Sequence, residues 1–234
     1  MSSAETGSLR RVAAEFIKES IAPKYSYSFS WLGRPIIQYP QDIVAMQELI
    51  WIVKPDLIIE TGIAHGGSVI FHASMLELNA MCGGPRDAHV LAIDIDIREG
   101  NRRAIETHPM FARVSMIEGS SVDPVVMEHV RNAAKSRKRV IVVLDSNHTH
   151  QHVLAELDAY APLTSVGSYC VVFDTIIDEL PADAFPDRPW GPGNNPRTAV
   201  REYLASHPEF EIDDGIDDRL LISVAPGGYL KRTR

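Results

Sequence analysis

The sequence predicts an α/β fold: a doubly wound, mainly parallel sheet with helices on both faces. Three observations lead there. Short apolar runs alternate with stretches of helical period from residue 43 onward. Five of those runs end in an acid or a Gly-Ser turn, at Glu60, Asp94, Gly119, Asp145 and Asp174. The 234 residues, 45% apolar and 23% charged, suit one large domain of ordinary soluble composition. Ligands of such sheets bind beyond the carboxyl ends of the strands, so these polar groups are expected to share one crevice.

Taken in order, Met1–Gly7 is small and polar and is expected to be mobile. Leu9, Val12, Ala13, Phe16 and Ile17 mark a helix to Ile21, ended by Pro23. Tyr25–Asp42 is aromatic and turn-rich and reads as an irregular segment over the core. With the first helix it forms an N-terminal portion, residues 1–40, ahead of a single catalytic domain, 41–234. Asp42 is expected to cap a helix over Ile43–Val53. Strands are expected at Leu57–Ile59, His89–Ile93, Val114–Glu118, Arg139–Leu144 and Tyr169–Phe173. The helices between them are Ser68–Ala80, Arg98–Thr107, Pro124–Ala134 and His152–Tyr160. Residues 176–197, rich in proline, read as a lid-like loop. A helix over Thr198–Ser206 follows. Glu209–Asp213 and Leu220–Val224 then read as a closing antiparallel pair, and Lys231–Arg234 as a solvated basic end.

Composition excludes some functions. A net charge of −8 argues against a binder of nucleic-acid phosphates. No uncharged run reaches membrane-spanning length, and the start lacks the apolar middle of a signal peptide. Cys82 and Cys170 have neither a metal spacing nor a disulfide framework. A cytoplasmic location is the expectation. The aromatic stretch Tyr25–Tyr39 is read as an interface, and a homo-oligomer is expected.

The stretch Leu57–Val69 carries the strongest motif. An apolar strand runs into Glu60, then into a loop with Gly62, Gly66 and Gly67, and Ser68 opens a helix. Glycines let backbone approach a ligand, and a helix start favours negative groups. The dinucleotide pattern G-x-G-x-x-G is met imperfectly, by Gly62-x-Ala64-x-x-Gly67. The other register, Glu60-x-Gly62-x-Ala64-x-Gly66, is close to the acid-then-glycine pattern of S-adenosylmethionine (SAM) methyltransferases. An acid there suits a methionyl ammonium and repels a pyrophosphate. An ordinary tight βα turn is the bland alternative.

Asp94, at the next strand end, can accept from ribose hydroxyls, and Asp96 fits helix capping better. Ser120 and Ser121 either flank an adenine ring or form a plain turn before a helix capped by Ser121 or Asp123. Asp145 and Asp174 can share a divalent cation; carboxylates suit Mg²⁺. His148, three residues past Asp145, is a candidate general base. A zinc site built from His148, His150 and His152 is the rival. Their spacing of two puts them on different faces of a helix, and His150 and His152 read better as surface or capping residues.

The segments WLGRPIIQYPQD, QELIWIVKPDLIIETGIAHGGSV, LAIDID, VLDSNHTH, ELDAYAPLTSVGSYCVVFDT and GNNPRTAV together resemble the cephalosporin hydroxylase family, which also holds rhamnosyl O-methyltransferase-like proteins. The resemblance spans about Phe29–Val224. It implies a Rossmann-like SAM methyltransferase fold with a seven-stranded-type sheet, and SAM and Mg²⁺ as cofactors. It implies O-methylation of a sugar, glycan or glycosylated natural product, in antibiotic or cell-surface polysaccharide biosynthesis. By this resemblance Glu60, Gly62, His65, Gly66, Gly67 and Ser68 would hold the methionine part. Asp94 would hold the ribose, Ser120 and Ser121 the adenine side. Asp145 and Asp174 would be metal acids, with His148 as base. Phe173 stands where some members carry a further acid. Thr175 stands where catechol-type enzymes have asparagine, so Thr175 or water would complete the metal site. A hydroxylase partner, or a non-catalytic SAM-binding accessory protein, is the alternative.

Overall fold

β-Branched and aliphatic side chains dominate the short apolar runs; four become strands buried on both faces, and Val114–Glu118 becomes a half-exposed edge strand. The computed structural model describes residues 3–234, with side chains from residue 7. A seven-stranded sheet runs β5-β4-β3-β6-β7-β9-β8. Its strands are β3 (Leu57–Thr61), β4 (His89–Asp94), β5 (Val114–Glu118), β6 (Val140–Leu144), β7 (Tyr169–Val172), β8 (Phe210–Ile212) and β9 (Tyr229–Arg232). β3 to β7 are parallel, and β9 is antiparallel to both neighbours. The predicted doubly wound, seven-stranded sheet is therefore what the chain forms. One core lies under α2 (Pro40–Val53) and α3 (Gly67–Met81). The opposite face is covered by α5 (Pro124–Ala134), α6 (His150–Tyr160) and α7 (Pro196–Ser206). α4 (Glu99–Glu106) supplies Ile105 to the first core.

The sheet reverses direction at β3, whose neighbours are β4 on one side and β6 on the other. The ladder continues past the strand ends: Gly62 N–H donates to Ile93 O (2.8 Å), Asp145 N–H to Thr61 O (3.0 Å) and Phe173 N–H to Leu144 O (3.0 Å). Gly62, Asp145 and Phe173 thus stand level at the switch point, where a ligand crevice opens.

The N-terminal portion differs from expectation. α1 begins at Ser3 and runs to Ile21, so Ser3–Gly7 is its first part; Met1 and Ser2 lie outside the described residues. Tyr25–Asp42 is regular over much of its length. It holds a 3₁₀ turn (Tyr25–Ser28) and a hairpin of β1 (Phe29–Trp31) and β2 (Arg34–Ile36). Its aromatics serve the chain's own core. Tyr25 packs against Phe16, Phe29 and Tyr39 with centroids 5.1–5.7 Å apart, and Trp31 meets Phe71 at 4.9 Å. Of the segment's aromatics, only Tyr27 is largely exposed, which removes the basis for reading this stretch as an interface.

Two further corrections concern the far end. Leu220–Val224 is not a strand: α8 (Asp214–Leu220) ends there and Leu221 takes φ +60°. The partner of β8 is instead Tyr229–Arg232, whose basic residues were expected to be solvated. The Arg232 guanidinium donates to Pro162 O (2.8 Å) and Thr164 O (2.6 Å), which lets a charged residue sit in an inner strand.

Asp42 does not cap α2. Tyr39 holds that position, and Asp42 is buried in the first turn. Its carboxylate accepts from Ser223 Oγ (2.6 Å), Tyr229 Oη (2.8 Å) and the Val224 N–H (3.0 Å), tying α2 to the chain's end. Burial raises its pKa to about 6, against three stabilising donors. A raised folded-state pKa means the folded chain binds the proton more tightly. Asp42 therefore stabilises fully below its unfolded pKa of 3.8, and that contribution is lost as pH rises through about 6. Asp42→Ala strands three donors and is expected to cost about 3 kcal/mol at pH 7 in urea unfolding. The wild-type minus variant difference should shrink between pH 4 and pH 6.5; a flat difference would contradict this.

Candidate active site

The loop after β3 is shaped first by the protein itself. Gly62 has φ +93°, and a Cβ there would lie 2.0 Å from the Asp145 carbonyl oxygen. A Cβ on Gly67 would lie 2.1 Å from Pro35 O and 2.5 Å from Ile36 Cα, because β2 crosses the start of α3. Gly66 meets the Ile105 side chain in the same way. These glycines admit neighbouring backbone and core, so packing alone already demands them. The loop is braced by residues that the sequence reading passed over. Arg34 Nε donates to His65 O (3.0 Å), and Asn101 Nδ2 to Ala64 O (2.8 Å). In Asn101 the legible signal was only a polar residue on a short helix.

The predicted residues do not all share one place. Gly62, His65, Gly67, Ser68, Asp145, His148 and Asp174 line one cavity of about 760 Å³. Glu60 does not face it: 1% exposed, it accepts from Ser68 Oγ and pairs with His72 Nδ1 (2.8 Å) on α3. Asp94 clasps the loop. Its Oδ2 accepts from the N–H groups of Ile63 (2.7 Å) and Ala64 (3.1 Å), and its Oδ1 from Asp96 N–H (3.1 Å). Asp96 caps no helix; Arg98 holds that place for α4. Ser121 is buried against His152 Nε2 (3.1 Å), Ser120 is half-buried, and Asp123 is the residue that caps α5.

The three histidines part company because His148 lies ahead of α6, while His150 and His152 stand in its first turn. His150 bonds Thr198 (2.8 Å) and Glu202 (3.2 Å), and so docks α7. His152 lies 3.5 Å from buried Glu156, whose other neighbour is Ser146 (2.7 Å). Both are structural, and the zinc reading has no geometry behind it. His148 turns to the cavity, with Nε2 3.4 Å from Asp174 Oδ2 and its ring edge-on to Trp190 at 4.9 Å.

Asp145, His148 and Asp174 each present one donor atom, all within 4.8 Å of one another. Asp174 owes its position to a left-handed backbone, φ +58°, immediately after β7. Asp145 carries the electrostatic cost. Burial, then the charges of Asp174 and Glu60, push its carboxyl well above the usual carboxylate range. Two facing acids in such a place fit a divalent cation, which would replace repulsion by coordination. Thr175 stays outside: it is fully buried and its hydroxyl donates to Pro226 O (2.8 Å).

The segment after β7 roofs the cavity. Phe185, Asp187, Arg188 and Trp190 line it. Asp178 pins its base, accepting from Asn195 Nδ2 (2.8 Å) and Gly193 N–H (3.2 Å) and pairing with Arg201 (3.0 Å). The Asn195 bond leads the effects that hold the Asp178 carboxyl below its ordinary pKa.

The profile of the family described as rhamnosyl O-methyltransferase/CmcI matches residues 23–233. The chain belongs to that family. A rhamnosyl O-methyltransferase of Mycobacterium tuberculosis is 31% identical over 193 residues, covering 82% of this chain and 73% of that protein. One from Mycobacterium leprae is 28% identical over 206 residues, covering 87% and 82%. Solved structures share the fold at low identity. CmcI with Mg and SAM superposes with TM-score 0.62 at 18% identity, covering 89% of this chain and 78% of that one. A TDP-rhamnose 3′-O-methyltransferase of calicheamicin biosynthesis superposes with TM-score 0.56 at 15% identity, covering 99% and 96%. Among the described residues no helix is long and apolar enough to cross a membrane.

Proposed function

We propose that the chain is a SAM-dependent, Mg²⁺-assisted O-methyltransferase whose acceptor is a hydroxyl of a sugar or glycosylated small molecule. The observation that carries this is the joining of Asp145, His148 and Asp174 at the switch point, on one cavity with the loop Gly62–Ser68. Membership of the family supports the reaction class, and the named activities of the mycobacterial relatives support a rhamnosyl-type acceptor.

When bound, SAM supplies an activated methyl group and Mg²⁺ the positive charge that makes a nearby hydroxyl more acidic. Asp145 and Asp174 would hold the cation. The first turn of α3 would face the cofactor's negative end with its free N–H groups. His148, its ring edge-on to Trp190, would take the acceptor's proton at Nε2, which Asp174 leaves free once it holds the cation. Asp187, Arg188 and Trp190 would exclude water and offer a polar and aromatic wall to a sugar. Glu60 ties β3 to α3 through Ser68 and His72.

Calorimetry with S-adenosylhomocysteine, with and without Mg²⁺, tests the cofactors. Transfer of labelled methyl from SAM to a rhamnoside tests the reaction. Binding in the micromolar range and transfer abolished by EDTA are expected. Transfer that persists in EDTA would remove the metal from the proposal, and absence of nucleoside binding would end it.

A further inference from the structure

Gln38 lies in an otherwise apolar stretch between β2 and α2. It is 2% exposed, yet neither its amide oxygen nor its amide nitrogen has a hydrogen-bond partner. Both atoms belong to a residue that lines the same cavity as Gly62, His65 and Ser68. A buried amide with two unpaired atoms is unfavourable unless a partner reaches it. Its location indicates what. β2 crosses the first turn of α3 so closely that Ile36 Cα would stand 2.5 Å from a Cβ on Gly67. Gln38, two residues further on, is thereby carried to the end of α3 whose N–H groups lack intrahelical acceptors. Glu60, the acid expected to meet an ammonium group, is committed to Ser68 and His72 behind the wall. An amide can serve a zwitterion at both ends, since it accepts at Oε1 and donates at Nε2.

We infer that Gln38 holds the amino-acid end of the cofactor, accepting from its α-ammonium and donating to its α-carboxylate, with the α3 N-terminus drawing the carboxylate in. This rests on the SAM-binding reading above and assigns the residue that grips one end of that ligand. It is a binding and positioning residue, distinct from the groups that handle the proton.

The test compares two ligands on the full chain by calorimetry: S-adenosylhomocysteine, and 5′-methylthioadenosine, which keeps the nucleoside and thioether but has no amino-acid end. Gln38→Leu is expected to weaken S-adenosylhomocysteine about 30-fold, as for the loss of two charge-assisted hydrogen bonds. It should change 5′-methylthioadenosine less than about 2-fold. Removing an unpaired buried amide should leave the ligand-free melting temperature unchanged or higher. If Gln38→Leu does not fold by circular dichroism, Gln38→Met, which keeps the length, is read in the same way. Equal losses for both ligands, or no loss for S-adenosylhomocysteine, would overturn the assignment while leaving the cofactor reading intact. A wild-type chain that binds neither ligand would overturn both.

Discussion

Asp145→Asn is expected to make the protein more stable and nearly inactive. The carboxyl of Asp145 is held at high energy by burial and by the charges of Asp174 and Glu60. An uncharged group of the same shape removes that repulsion, so the ligand-free melting temperature should rise by roughly 2–5 °C. The same change halves the carboxylate pair that would hold a divalent cation. Mg²⁺ affinity by calorimetry should fall at least about 100-fold, and methyl transfer at least about 1,000-fold. The two readouts move in opposite directions, which a purely structural role for Asp145 would not produce. A variant that melts lower, or one that binds Mg²⁺ like wild type, would refute this account of the site.

Gly62→Ala should be the most damaging single methyl in the chain's functional half. The added Cβ would stand 2.0 Å from the Asp145 carbonyl oxygen and 2.7 Å from its carbon, both backbone atoms in a continuous ladder. The collision can be relieved only by parting β3 from β6 at the switch point. A cost of about 3 kcal/mol or more is expected, a fall of roughly 10 °C in melting temperature for a chain of this length. Gly33→Ala is the matched control. Gly33 also has positive φ, +84°, but no atom within 4 Å of where its Cβ would be, so only backbone strain of about 1 kcal/mol is at stake. If the two variants melt alike, the close approach of Asp145 is not what Gly62 is for.

Much of the architecture is legible in the sequence. The apolar runs at Leu57, His89, Arg139 and Tyr169 announced parallel strands, because strands buried on both faces exclude polar alternation; the edge strand at Val114 was legible from its place in the strand–helix alternation. The acids Asp145 and Asp174 were legible for the same reason: a carboxylate directly after a buried run must stand at a strand end. His148 was set apart from His150 and His152 by its place three residues after Asp145, close to the strand end.

Other assignments needed the folded chain. β9 was missed because Tyr-Leu-Lys-Arg looks like a charged tail; only carbonyls from residues 162 and 164 make an inner-strand arginine tolerable. Glu60 carried a motif signal, yet tertiary packing turned it to His72, a residue twelve positions away with no sequence mark of its own. Asp94 reads as a ligand residue in sequence, while the fold first uses it to hold the loop. The N-terminal hairpin set Ile36 against Gly67 at the start of α3, far along the chain. Local sequence determined which segments became strands and helices and which polar groups ended them, because periodicity and strand-end chemistry are short-range. Tertiary structure alone decided which of those groups face the cavity and which face one another, because hydrogen-bond partners and close backbone approaches are made between segments distant in the chain.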